Sequence, residues 1–157
     1  MIMLARTDLL GIFMETFEGR VLIPERVASE VCREGKEDAP CIVRLIQTKR
    51  IEVRKAKDRV TVETLEKDFS IATGEAEALV LAIEHKGSLV ATDDRNAIRA
   101  CKVLKMEFTT AIAFLLRAFE KKIIDRDEAL SRLDQLESVA RYKAAIITNA
   151  RKRLQEE

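Results

Sequence analysis

The stretch TGEAEALVLAIEHKGSLVATDDRNAIR, residues 73–99, decides the fold. It opens with Gly74-Glu75-Ala76-Glu77 and continues through alanine and leucine, both strong helix formers, as a helix to His85. Gly87 breaks that helix, residues 88–91 form a short apolar run of strand length, and Thr92-Asp93-Asp94-Arg95 leads into another helix over about 96–104. Helix, strand and helix joined this tightly are the repeating unit of a parallel α/β sheet.

The same alternation extends outward. Upstream, residues 21–23 are a β-branched-rich run stopped by Pro24, which suits a buried parallel strand, and Pro24 starts a helix where its missing N–H costs least. That helix runs through Val27, Val31 and Cys32 to Gly35. It is preceded by a helix over 8–17 that Gly19 ends. A helical stretch from about residue 37 carries Ile42, Val43, Leu45 and Ile46, followed by a strand at 51–53 and a helix near 61–68. Downstream come a strand near 106–109, an apolar helix over 111–119 and two terminal helices over about 126–154. The first of these starts with Asp125 three residues before Glu128, a capping box, and sets Ala129, Leu130, Leu133 and Leu136 on one face. Ala140, Ala144, Ile147 and Leu154 share a face of the last. Strands alternating with helices predict a parallel sheet covered on both faces.

At 157 residues and 47% apolar content the chain reads as one domain, 1–157, with one buried core. With five glycines and two prolines it offers no linker, repeat or low-complexity stretch. No apolar run approaches the roughly 20 residues of a membrane-spanning helix, and the start lacks the layout of a secretory signal, so a soluble cytoplasmic protein is expected. Cys32, Cys41 and Cys101 are odd in number and widely spaced beside a single histidine, His85, which excludes a disulfide framework or structural zinc site and leaves small buried hydrophobes. His85 reads as a solvated residue at a helix end. Net charge is +1 although 35% of residues are charged. Arg44, Lys49, Arg50, Arg54, Lys55, Lys57 and Arg59 form a basic run, and Arg151, Lys152 and Arg153 a second; such runs meet phosphates or, more often, solvent.

In a parallel α/β sheet, ligands collect where strands end and helices begin. Acidic groups fall at three such places: Glu30 on the helix after the 21–23 strand, Glu75 and Glu77 in a helical first turn, and Asp93 and Asp94 after the 88–91 strand. Taken singly each has a plainer explanation, because glutamates in a first turn complement the helix dipole, aspartates cap helices, and Glu30 suits a solvated position. Together they exceed what capping requires, one carboxylate per helix. Clustered carboxylates repel one another unless a cation lies between them, and hard oxygen donors select magnesium or manganese. Such ions orient and deprotonate a water and stabilise a leaving 3′ oxygen, so a site of this kind cuts nucleic acid without a nucleophilic side chain.

These residues resemble the PIN (PilT N-terminus) domain family, in the branch with a strand ending in I-P, a glutamate on the next helix, then G-E-x-E and a D-D-R step. Here they are Leu22-Ile23-Pro24 with Glu30, Gly74-Glu75-Ala76-Glu77, and Thr92-Asp93-Asp94-Arg95. The resemblance continues through the apolar helix into the terminal helices, over nearly the whole chain. It implies a three-layer α/β/α sandwich with a parallel sheet ordered 3-2-1-4-5, and magnesium- or manganese-dependent endoribonuclease activity on RNA phosphodiesters. Carried over by position, Glu30, Glu75 and Asp94 are the catalytic metal-site carboxylates, Glu77 and Asp93 are close alternatives as metal ligands, and Thr92 orients a water or phosphate. Many members are toxins of toxin-antitoxin pairs, which adds an antitoxin protein to RNA as a partner; the apolar terminal helices suit a homodimer. The competing expectation is a non-catalytic PIN-fold binding or interaction module. An unrelated phosphate or nucleotide binder lacks its Gly-rich loop here.

The sequence departs from the family at its start. Members open with an apolar strand ending in an aspartate, and Met1-Ile2-Met3-Leu4 aligns just past that motif. Asp8, the nearest candidate, falls at the start of the first helix and reads as a cap. The missing or replaced strand is the central one, whose loss leaves backbone groups unpaired on both neighbours. A start further upstream, residues 1–5 substituting as a strand, or a partner chain resolves this, and the lack of the first aspartate leaves the activity of this exact chain open between a nuclease and its inactive form.

Overall fold

The computed structural model describes residues 4, 7, 9–33, 39–140 and 142–156. In chain order its elements are α1 (Leu9–Thr16), β1 (Val21–Pro24), α2 (Glu25–Val31), α3 (Ala39–Gln47), β2 (Ile51–Arg54), α4 (Arg59–Phe69) and α5 (Thr73–Glu84). They continue with β3 (Val90–Ala91), α6 (Arg95–Val103), β4 (Phe108–Thr109), α7 (Ala111–Glu120), α8 (Arg126–Val139) and α9 (Ala144–Glu156). The chain divides into two compact units, Glu18–Thr109 and Met1–Phe17 with Thr110–Glu157. Asp8, and residues 1–5 apart from Leu4, lie outside the described residues, as does the 34–38 connection.

The first unit holds all the described strands, and they pair in parallel as the alternating pattern requires. β1 lies beside β2 with Val21 opposite Ile51 and Pro24 opposite Arg54, and β3 lies beside β4 with Val90 opposite Phe108. The described strands form two separate parallel pairs, β1–β2 and β3–β4, and among the described residues no strand joins them. Arg20 donates twice to Glu52, at 3.0 and 2.9 Å, and Arg54 donates once at 2.6 Å, which fixes β2 beside the approach to β1. These bonds, Arg20's foremost, draw the Glu52 carboxyl down to about 2.

Strand boundaries differ from the sequence reading: β2 runs on to Arg54 and β4 begins only at Phe108. Ser88 is spent in a turn, donating its N–H to the His85 carbonyl at 3.2 Å ahead of β3, and Gly87 there takes a left-handed φ of 81°. Pro24 ends β1 and caps α2 with extended torsions, one residue short of the helical start expected of it. Cys41 is exposed and Cys32 half-buried, so only Cys101 is the buried hydrophobe anticipated for all three.

Helix α5 is the hub of this unit. It contacts α2, α4, α6, β1 and β3. A helix enclosed on so many sides must be apolar around most of its circumference, and Gly74, Ala76, Leu79, Val80 and Leu81 are all buried. Leu79 and Val80 pack in a core with Val62, Leu65, Val90, Ala97 and Cys101.

In the second unit α7, α8 and α9 contact one another, and Leu115, Leu133, Leu136 and Leu154 are fully buried. Phe13 stacks on Phe17 with ring centroids 5.0 Å apart and meets Phe114 edge-on at 5.2 Å. The expected cap is present, Asp125 accepting from the Glu128 N–H at 2.8 Å, and Thr110 caps α7 by accepting from the Ala113 N–H at 3.1 Å. No described helix is long and apolar enough to cross a membrane.

Three helices end in the same way, each on a lysine in the left-handed region. After α3, α6 and α7, Lys49, Lys105 and Lys122 have φ of 57°, 55° and 57°. The N–H of each reaches back three residues and the N–H of the next reaches back five, as from Met106 to the Cys101 carbonyl at 2.8 Å. This double closure ordinarily recruits glycine, because a left-handed residue with a Cβ costs about 1–2 kcal/mol. Glycine loses roughly 0.5–1 kcal/mol more chain entropy on folding, so Lys105→Gly, at an exposed site, is expected to raise stability by a net of about 0.5 kcal/mol in urea denaturation.

Candidate functional site

Glu30 lies on the second turn of α2, where the helix that β1 launches turns Val27 and Glu30, three residues apart, toward the start of α5. Its Oε1 accepts from Arg26 Nε at 2.9 Å, an i,i+4 pair on a half-exposed surface. Its Oε2 lies against Gly74: a Cβ built there would stand 3.7 Å from that oxygen and 3.1 Å from Val27 Cγ2.

Glu75 follows in the first turn of α5. The capping position holds Ala72, which offers no side-chain acceptor, and the Glu75 carboxylate accepts from its own backbone N–H. Asp94 sits where the loop after β3 enters α6. The Asp94 N–H donates to Thr92 Oγ1 at 3.2 Å, and Asp94 Oδ1 accepts from the Ala97 N–H at 2.7 Å. Thr92 thus orients the aspartate, and Asp94 caps the helix with one of its two oxygens.

Glu75 feels the other two carboxylates. Burial, first of all, holds the Glu75 carboxyl above the ordinary glutamate value, and the charges of Asp94 and then Glu30 push it further in the same direction. Residues far apart in sequence are therefore brought into a shared field by α2, α5 and the β3–α6 loop. Among the described residues, however, no three His, Cys, Asp or Glu side chains stand close enough to hold one ion in their present rotamers. Oxygen-only donors of like charge fit a hard divalent cation chemically, and Glu30, Glu75 and Asp94 would have to swing together to enclose it.

Glu77 goes elsewhere. Two residues beyond Glu75 it points to another side of α5, and its Oε1 accepts from Arg59 Nη1 at 2.5 Å with only 11% of the side chain exposed. Asp93 is half-buried beside Asp94. Arg26 and Gly74 belong to this neighbourhood although the sequence reading gave them no role; the spacing of Arg26 four residues before Glu30 was the available signal. Arg59 and Glu77, 18 residues apart on different helices, gave none. Within the basic run Arg54 and Arg59 are tied to glutamates, while Arg44, Lys49, Lys55 and Lys57 are exposed.

Residues 1–156 match the family model DUF3368, described as a PIN domain. No curated protein and no solved structure matches. The matched span includes both compact units.

The raised Glu75 carboxyl has a pH signature. Its folded value exceeds the ordinary 4.5, so the folded state binds the proton more tightly than the unfolded one, and stability falls as pH rises from 4.5 through the folded value. Glu75→Gln removes the ionised form. In thermal denaturation with chelator present, the variant is expected to match the parent below pH 4.5 and to melt higher at neutral pH.

Proposed function

The chain belongs to the PIN-domain family, whose members are generally nucleases, and we propose that it is a magnesium- or manganese-dependent endoribonuclease using Glu30, Glu75 and Asp94. The observation that supports this reading is that Glu75, at the start of α5 and already half-buried, is pushed further above the ordinary glutamate value by the charges of Asp94 and Glu30. A half-buried glutamate facing two other anions is unfavourable in isolation and becomes favourable when a divalent cation lies between them.

A bound divalent ion supplies positive charge for the scissile phosphodiester and acidity for a water beside it. The protein's part is to bind and orient. Glu75 stands on the helix that anchors the unit, Glu30 approaches from α2, and Asp94 offers its second oxygen while the first keeps α6 capped. Thr92 holds the Asp94 backbone in place. Glu77, neutralised by Arg59, and Asp93 are further carboxylates of the same two motifs. The same reading carries RNA as substrate, an antitoxin protein as partner, a cytoplasmic location and one domain over 1–157. A homodimer is supported by the mostly apolar groove among Ile112, Leu116, Ala145, Ile146, Asn149 and Ala150.

The present rotamers favour one second reading. Because no described carboxylate trio is preset around an ion, a PIN-fold binding module without catalysis is the alternative. Asp94→Asn separates the two, since asparagine caps a helix as well as aspartate does but lacks the charge. Isothermal titration of the full chain with manganese, and cleavage of single-stranded and hairpin RNA, are expected to show binding and cutting. Asp94→Asn should abolish cleavage and weaken manganese binding by at least about tenfold while leaving the melting temperature nearly unchanged. A full chain that binds no manganese favours the binding module.

A further inference from the structure

Strand β2 is an edge strand among the described residues, pairing only with β1, and its two faces are unlike. Ile51 is buried, and Val53 shares its face by the alternation of a strand. Glu52 and Arg54 lie on the other face, where Arg20, from the approach to β1, joins them. Two guanidiniums there meet one carboxylate: Arg20 Nη2 and Arg54 Nη2 stand 2.9 and 2.6 Å from the same oxygen, Glu52 Oε2. One negative charge cannot balance two positive ones, and the arginine side chains stay 64% and 51% exposed. Glu52 engages Nε and Nη2 of Arg20 and Nη2 of Arg54, which leaves Nη1 of each as a free donor among the described residues. The excess of positive charge continues along the chain, since Lys49, Arg50, Lys55 and Lys57 flank the pair and Glu52 is the single acid from residue 49 to 57. Charge on an edge strand guards it against pairing with another chain, but one charge does that. The second basic run is unlike this one: Arg151, Lys152 and Arg153 are each paired with an acid.

We propose that this face of β2 is a docking strip for the sugar-phosphate backbone of single-stranded RNA, with Arg20 and Arg54 as its phosphate-binding forks and Lys49, Lys55 and Lys57 as its flanks. The choice of RNA as the polyanion rests on the nuclease reading given above, whereas the strip itself needs no bound metal. A guanidinium already held by Glu52 has less rotamer freedom to lose when a phosphate arrives, and its planar fork matches two phosphate oxygens. A row of cations, in place of a single enclosed pocket, suits a chain of phosphates better than one small anion. Each cation that meets a phosphate releases counterions from the nucleic acid, so binding through the strip weakens steeply with salt. Glu52 opposes the incoming phosphate, and its charge limits the affinity.

The test is fluorescence anisotropy of a labelled oligouridylate with the full chain over a range of salt, chelator present. Arg54→Gln and Lys55→Gln are each expected to weaken binding about three- to tenfold at low salt and to reduce the slope of log affinity against log salt by about 0.7, while Lys152→Gln changes neither. Glu52→Gln, which keeps the shape of the side chain and removes its charge, should strengthen binding about threefold, the opposite of what loss of a merely structural glutamate would do. A parent whose RNA binding is unmoved by Arg54→Gln and Lys55→Gln, or is weakened as much by Lys152→Gln, overturns the strip and leaves the nuclease reading standing. Polyglutamate binding where the oligouridylate does not assigns the strip to an acidic protein and also overturns the proposal. RNA held through the strip but never cut with manganese present supports the strip and overturns the nuclease reading.

Discussion

Like charges held near one another must be opposed by something, and in this molecule the opposition comes from the fold. Glu75 is carried on the most enclosed helix of its unit, and Glu30 and Asp94 are delivered to it by α2 and by the loop after β3. Each of these anions has some compensation already. Arg26 lies on Glu30, the Ala97 N–H on Asp94, and the Glu75 N–H on its own carboxylate. Those are partial measures, since each contact engages one oxygen of its carboxylate.

The packing explains why the arrangement survives. Helix α5 touches both strand pairs and three neighbouring helices, so its first turn cannot retreat from α2 or α6 without disturbing the core around Leu79 and Val80. Where a charged residue does enter that enclosed surface, at Glu77, it is neutralised at once by Arg59 across the α4–α5 contact. The two glutamates of one short motif thus have different surroundings: one is paired inside the unit, the other remains exposed to its fellow anions.

Much of this was readable beforehand. Hydrophobic spacing located the helices, the β-branched run at 21–23 located β1, and the alternation of the two gave parallel pairing, because those signals are local. Asp125 and Glu128 announced α8 for the same reason. The failures were of two kinds. Helix ends at Lys49, Lys105 and Lys122 carried no glycine to mark them, since the closing hydrogen bonds hold lysine in a conformation it does not prefer alone. The fates of Glu77 and Gly74 depended on partners 18 and 47 residues away, Arg59 and Val27, which no periodicity encodes. For Asp94 the plainer of the two explanations offered by the sequence is present, as one of its oxygens caps α6.

Consider finally the division of the strands into two pairs of four and two residues a side. Among the described residues no rung connects them, so a shear applied to one ladder does not propagate through backbone hydrogen bonds to the other. Stiffness across the unit is carried instead by side chains meshed on α5, as in two short planks nailed to a single joist. Short-range, non-directional contacts of that sort tolerate small rotations that a continuous ladder would resist.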